Sequence, residues 1–82
     1  MAQVVEQIDV TGNLTRQVAL AQVPLSPTEV AVDPVGGPAQ VYGMDFTVAG
    51  NLLMWSIAGS DIMRVVEDPR NFTVILRVIY EA

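Results

Sequence analysis

Gly50 and Asn51 stand between two short apolar runs, Phe46-Thr47-Val48-Ala49 and Leu52-Leu53-Met54-Trp55. A two-residue turn that reverses a β-ribbon needs residues tolerant of positive φ, and a Gly-Asn pair meets that need. With the turn placed there, the register from Met44 to Ile57 is fixed. Ala49 faces Leu52, Thr47 faces Met54 and Asp45 faces Ser56 on one side. Val48 faces Leu53, Phe46 faces Trp55 and Met44 faces Ile57 on the other. Apolar pairs thus collect on one face, each worth roughly 0.2–1 kcal/mol beyond burial. Met44, Phe46, Val48, Leu53, Trp55 and Ile57 are therefore predicted to form the core side of a hairpin. A slip of one residue would turn Trp55 to the wrong side.

The remaining segments read mostly as strands. Val4, Ile8 and Val10 alternate with Gln7 and Asp9, although Val5 and Glu6 fall out of phase, so 3–10 reads as a half-buried strand ended by Thr11-Gly12-Asn13. Over 14–23, Val18 and Leu20 share a face opposite Ala19, Ala21 and Val23. Helix competes here because Leu14, Val18 and Ala21 also fit a period near 3.6; strand is preferred because the neighbouring segments read as β. The stretch 24–40 holds four of the five prolines. Ser26-Pro27-Thr28-Glu29 matches a helix capping box, but Pro34 follows too soon for a helix, and Val30-Ala31-Val32 favours a short extended piece. Gly36-Gly37-Pro38 reads as a turn and lacks the Lys and Ser or Thr of a phosphate-cradling loop. Ser60 as cap, Asp61 at the positive end and Pro69 as terminator predict a short helix near 60–67. The closing segment places Phe72, Val74, Leu76, Val78 and Tyr80 on one face and Thr73, Ile75, Arg77, Ile79 and Glu81 on the other, the pattern of a central strand.

Five to seven short strands separated by turn chemistry imply an all-β fold, a small antiparallel β-sandwich or barrel forming a single domain over 1–82. A chain of 82 residues removes only about 60–65 % of its unfolded surface from water, which leaves a narrow stability margin. Disulfides and zinc, the usual staples of small domains, are out of reach because the sequence has no Cys and no His. A partner is the support that remains.

Composition also excludes much chemistry. With His, Cys and Lys absent, the common general bases, activated nucleophiles, Schiff-base formers and soft-metal ligands are missing. Asp33, Asp45, Asp61, Glu67 and Asp68 form no glycosidase or calcium motif, and Glu67-Asp68 precedes a proline as a solvated turn would. We therefore expect no catalytic residues, no metal and no cofactor. Four Arg against nine Asp and Glu give a net charge of -5, which repels phosphate backbones and argues against a nucleic-acid partner. No apolar run approaches the ~18 residues of a membrane helix, and the start lacks the pattern of a secretion signal, so neither membrane residence nor export is expected.

Charged residues make up 16 % of the chain, below the roughly 25 % of ordinary domains. Large apolar groups also occupy both faces of two segments: Leu52 and Met54 lie opposite the hairpin's core side, Ile75 and Ile79 opposite that of the last strand. A lone small sandwich needs one apolar face per sheet. Leu52, Met54, Ile75 and Ile79, with Pro24 and Leu25 of the Pro-rich segment, are the interface candidates. Trp55 and Tyr42 offer a rival reading, an exposed aromatic platform of a carbohydrate-binding module, against which stands the pairing of Trp55 with Phe46.

The stretch "YGMDFTVAGNLLMW" followed by "FTVILRVIY" resembles the small β-sandwich modules of structural proteins of tailed bacteriophages. The likeness covers roughly the second half of the chain. Related modules often carry Gly-Asp before the closing strand, where this chain has Glu67-Asp68-Pro69-Arg70-Asn71. The resemblance implies a non-enzymatic virion protein. For a free-standing chain of this size, the implied role is a capsid decoration, or cement, protein, assembled in the host cytoplasm. Such a protein sits on the outer capsid surface as a homo-oligomer, often a trimer, and clamps the major capsid protein. A tail, neck or baseplate module is the neighbouring possibility.

Overall fold

The computed structural model describes residues 2–82. Among these, six strands form two three-stranded antiparallel sheets. β1 (Gln3–Asp9), β6 (Ile75–Glu81) and β3 (Ala31–Pro34) make the first, in the order β1-β6-β3; β2 (Gln17–Ala19), β5 (Leu52–Met54) and β4 (Thr47–Ala49) make the second, in the order β2-β5-β4. A helix, α1 (Asp61–Val66), connects the sheets, and Pro27–Glu29 form one 3-10 turn. The fold is all-β with one short helix, as the sequence predicts.

The hairpin register follows the turn. Gly50 adopts positive φ (59°) and Asn51 does not, a turn of the II′ class, and β4 pairs with β5 as Ala49–Leu52, Val48–Leu53 and Thr47–Met54. Segment 14–23 is extended over β2, which pairs Val18 with Leu53 and Ala19 with Leu52; the helical alternative fails because the chain is pinned at both ends. Trp55 N–H donates to the Arg16 carbonyl (2.9 Å) and Leu20 N–H to the Asn51 carbonyl (2.7 Å). Pro27 sits at the first position of the 3-10 turn, but Ser26 makes no side-chain cap, and Ala31–Pro34 then run extended as β3.

Both sheets turn one face to a shared core. Val32, Leu76, Val78 and Tyr80 from the first sheet, Val48 and Leu53 from the second, and Ile62 and Val66 of α1 form a single buried cluster with Phe46 and Trp55. Each fully buried aliphatic of this kind contributes roughly 1.5–3 kcal/mol. Glu6, the polar residue out of phase in β1, also points inward, and its carboxylate is satisfied. It accepts the Tyr80 O–H and the Ala21 N–H, while Gln22 N–H donates to Tyr80 Oη (3.2 Å). Burial, then the bond to Glu6, raises the Tyr80 pKa.

Two sequence expectations need correction. Met44 does not join the core: it is 68 % exposed, and the ribbon it was to extend stops at Thr47. The chain reverses at 43–45 instead, with Gly43 at φ 85° and the Met44 and Asp45 N–H groups donating to the Val41 carbonyl. Asp45 therefore leaves Ser56 and turns to α1. Its carboxylate accepts the N–H of Val41 (2.9 Å) and of Asp61 (3.1 Å), and its carbonyl accepts the Ser60 hydroxyl (2.6 Å). Ile57, the intended partner of Met44, is half-buried. Phe46, also predicted to face Trp55, packs edge-on against Tyr42 with ring centroids 5.6 Å apart. The second correction is Phe72, which lies before β6 and is 46 % exposed beneath the Arg70 guanidinium. A left-handed Asn71 (φ 57°) ends the extended run there.

Candidate docking surface

The outward face of the first sheet is built in rows set by strand register. Val5, Ile79 and Ala31 form one row, Gln7, Arg77 and Asp33 the next, and Asp9 with Ile75 a third that Val35 extends through its N–H to the Ile75 carbonyl (2.8 Å). Apolar and polar rows thus alternate. Leu25, 61 % exposed, docks beside the first row, in line with Gln3 and Glu81, where its N–H donates to the Glu81 carbonyl (2.9 Å). A shallow groove of about 350 Å³ opens there between Leu25, Ala31, Ile79 and Glu81.

On the second sheet the outward rows are Ala19–Leu52–Ala49 and Gln17–Met54–Thr47. The flanking alanines Ala19 and Ala49 are exposed, and Leu52 between them is half-buried. Leu52, Met54, Ile75 and Ile79 are all half-buried, so the chain itself covers each of them only in part. They do not form one patch, because the two outward faces look away from a common core. Pro24 is corrected as a candidate: the fold buries it, so only Leu25 of that pair reaches the surface. Val5, 57 % exposed at the β1 end of the apolar row, is the residue that sequence reasoning passed over. Its signal was visible as the apolar side chain out of phase in an alternating strand.

All four arginines are engaged in ion pairs within the fold. Arg16 grips Glu67 through two parallel bonds (2.7 and 2.9 Å). Arg77 pairs with Asp33, Arg70 with Asp68 and Arg64 with Asp61. Hydrogen bonding to the Arg16 guanidinium holds the Glu67 carboxyl below its usual range, and bonding to Arg64, then Gln40, does the same for Asp61. Hydrogen bonds from the Arg70 side chain, then its backbone, lower Asp68 to about 2. Asp45 caps backbone N–H groups, as described above. Among the described residues no group of three or more His, Cys, Asp or Glu is placed to hold a metal ion, and no helix is long and apolar enough to cross a membrane.

Trp55 is fully buried, so the aromatic platform of the carbohydrate-binding reading lacks its main ring. Tyr42 is half-buried against Phe46. What the outer surface offers is apolar contact on two separate faces. No family model, no curated protein and no solved structure matches the chain.

Proposed function

We propose that this chain is a non-enzymatic structural protein that binds a larger assembly through its apolar outer rows, and that the assembly is the head of a tailed bacteriophage. It acts there as a capsid decoration protein, joining neighbouring copies of the major capsid protein on the outer shell. One observation carries the structural part of this reading: Leu52, Met54, Ile75 and Ile79 lie on outward sheet faces and stay half-covered by the chain itself. Two faces that look away from one core suit a part that touches two neighbours at once. The choice of a phage shell rests on the resemblance of 42–55 and 72–80 to virion β-sandwich modules.

The test mixes the purified chain with phage shells stripped of accessory proteins and sediments them. The chain is expected in the pellet, with the shells more resistant to heat, and Leu52→Glu or Ile79→Glu is expected to weaken binding at least tenfold. Each substitution desolvates a carboxylate at the joint while leaving the core untouched. A chain that stays in the supernatant with every shell tried contradicts the proposal.

A further inference from the structure

The two edges of the first sheet differ. At the β3 edge the chain closes most of its own groups: Gln40 N–H donates to the Val32 carbonyl (2.8 Å), Gly37 N–H donates to the Pro34 carbonyl (2.9 Å), and Pro34 has no N–H to offer. The β1 edge has no such cover. Ala2 and Ala82 exchange both their backbone bonds, and Val10 N–H donates to the Val74 carbonyl (2.9 Å). In an antiparallel ladder this parity assigns the even residues of β1 to β6 and aims the N–H and C=O of Gln3, Val5, Gln7 and Asp9 outward. Among the described residues none of these outward groups has a partner. Natural proteins blunt such edges with Lys, Pro, a bulge, a short strand or an inward-pointing charge. Over its seven residues β1 has only the last, Glu6, and that carboxylate is taken up inside the chain by the Tyr80 hydroxyl and the Ala21 N–H.

We propose that β1 is the docking site for β1 of a second copy of this chain, paired antiparallel about a two-fold axis at Val5. The occupant is argued from self-complementarity. The outward residues Gln3, Val5 and Gln7 read the same in both directions about Val5, so the axis sets Val5 against Val5 of the second copy and each Gln3 against a Gln7. Three reciprocal pairs exchange about six backbone hydrogen bonds. Two amides face one another at each Gln pair, and an amide both donates and accepts. On the outward face the apolar row runs unbroken across the joint, Ala31–Ile79–Val5 meeting its own image. Moving the axis to Glu6 would set two carboxylates opposite each other, and moving it to Gln7 would set Val5 against Asp9. The result is a closed pair sharing one six-stranded sheet, which departs from the trimer that the phage resemblance implies.

This inference does not rest on the virion reading. A chain that pairs through β1 and ignores shells keeps this inference and removes that one.

The experiment uses the absence of Cys from the chain, so that an introduced thiol reports a single contact. Directly opposed residues of a hydrogen-bonded antiparallel pair have Cα atoms about 5.5 Å apart, within disulfide reach. Val5→Cys is expected to form a covalent dimer under mild oxidation, and Gln17→Cys, on the exposed face of the other sheet, is expected to form no covalent dimer although it still pairs through β1. Val5→Lys and Val5→Glu are each expected to run as monomers and, when mixed, to associate one to one; misfolded variants would not rescue each other. The inference is overturned by Val5→Cys cross-linking no faster than Gln17→Cys. It is equally overturned by Val5→Lys dimerising as well as the parent chain, or by a monomeric parent chain whose β1 edge captures only unrelated strands.

Discussion

Trp55 fills the centre of the core, yet its Nε1–H meets no acceptor. Its ring is held by apolar contact alone, and the buried N–H subtracts from what that contact contributes. Trp55→Phe removes part of the ring and the unsatisfied donor together, so its net cost is expected below about 1.5 kcal/mol. Trp55→Ala leaves a cavity and is expected to cost about 3–5 kcal/mol. Urea unfolding of the two variants checks this; equal losses for both would show that the indole N–H has a role the geometry does not reveal. Met44 teaches the complementary lesson. In the sequence it sits two residues before Phe46 with the correct parity, but parity places a side chain only while the strand continues. The strand is cut by bonds from Val41 and from Asp61, and the second of these lies 16 residues away.

At the scale of elements, α1 shows how a six-residue helix persists where isolated helices of that length do not. Ser60 accepts the Met63 N–H (3.3 Å), and the ends are flanked by paired carboxylates: Asp61 at the start, Glu67 and Asp68 after the last turn. All three are held below their ordinary values, so the folded state favours their ionised forms. Their stabilisation is whole above the ordinary range near 3.8–4.5 and is lost as pH falls toward about 2, the Asp68 value. Melting temperature is therefore expected to fall steadily from about pH 5 to about pH 2, with α1 amides losing exchange protection. A flat profile over that range would show that these pairs do not hold the helix. The β4–β5 register, the α1 cap and the inward face of β6 were legible in the sequence because each is decided by neighbours a few residues apart. The order β1-β6-β3 was not, since pairing Gln3 with Glu81 joins opposite ends of the chain and no local pattern specifies it. Nor was the inward Glu6, whose partner Tyr80 is equally remote.

For the whole molecule, the balance between core and outer face decides the reading. The chain buries one cluster shared by two sheets and keeps apolar rows on both outward faces, with four arginines all tied to carboxylates. Little charge remains to keep copies apart beyond the net -5, and the alternating rows of the first sheet end at an open strand edge. Such a surface favours association, and the interface candidates belong to it in the same sense whether the neighbour is a shell or a second copy. Sedimentation equilibrium of the purified chain over a concentration series tests this most directly. The mass is expected to climb from 8.8 kDa toward a multiple of it as concentration rises. A mass of 8.8 kDa at every concentration, up to the limit of solubility, would contradict it.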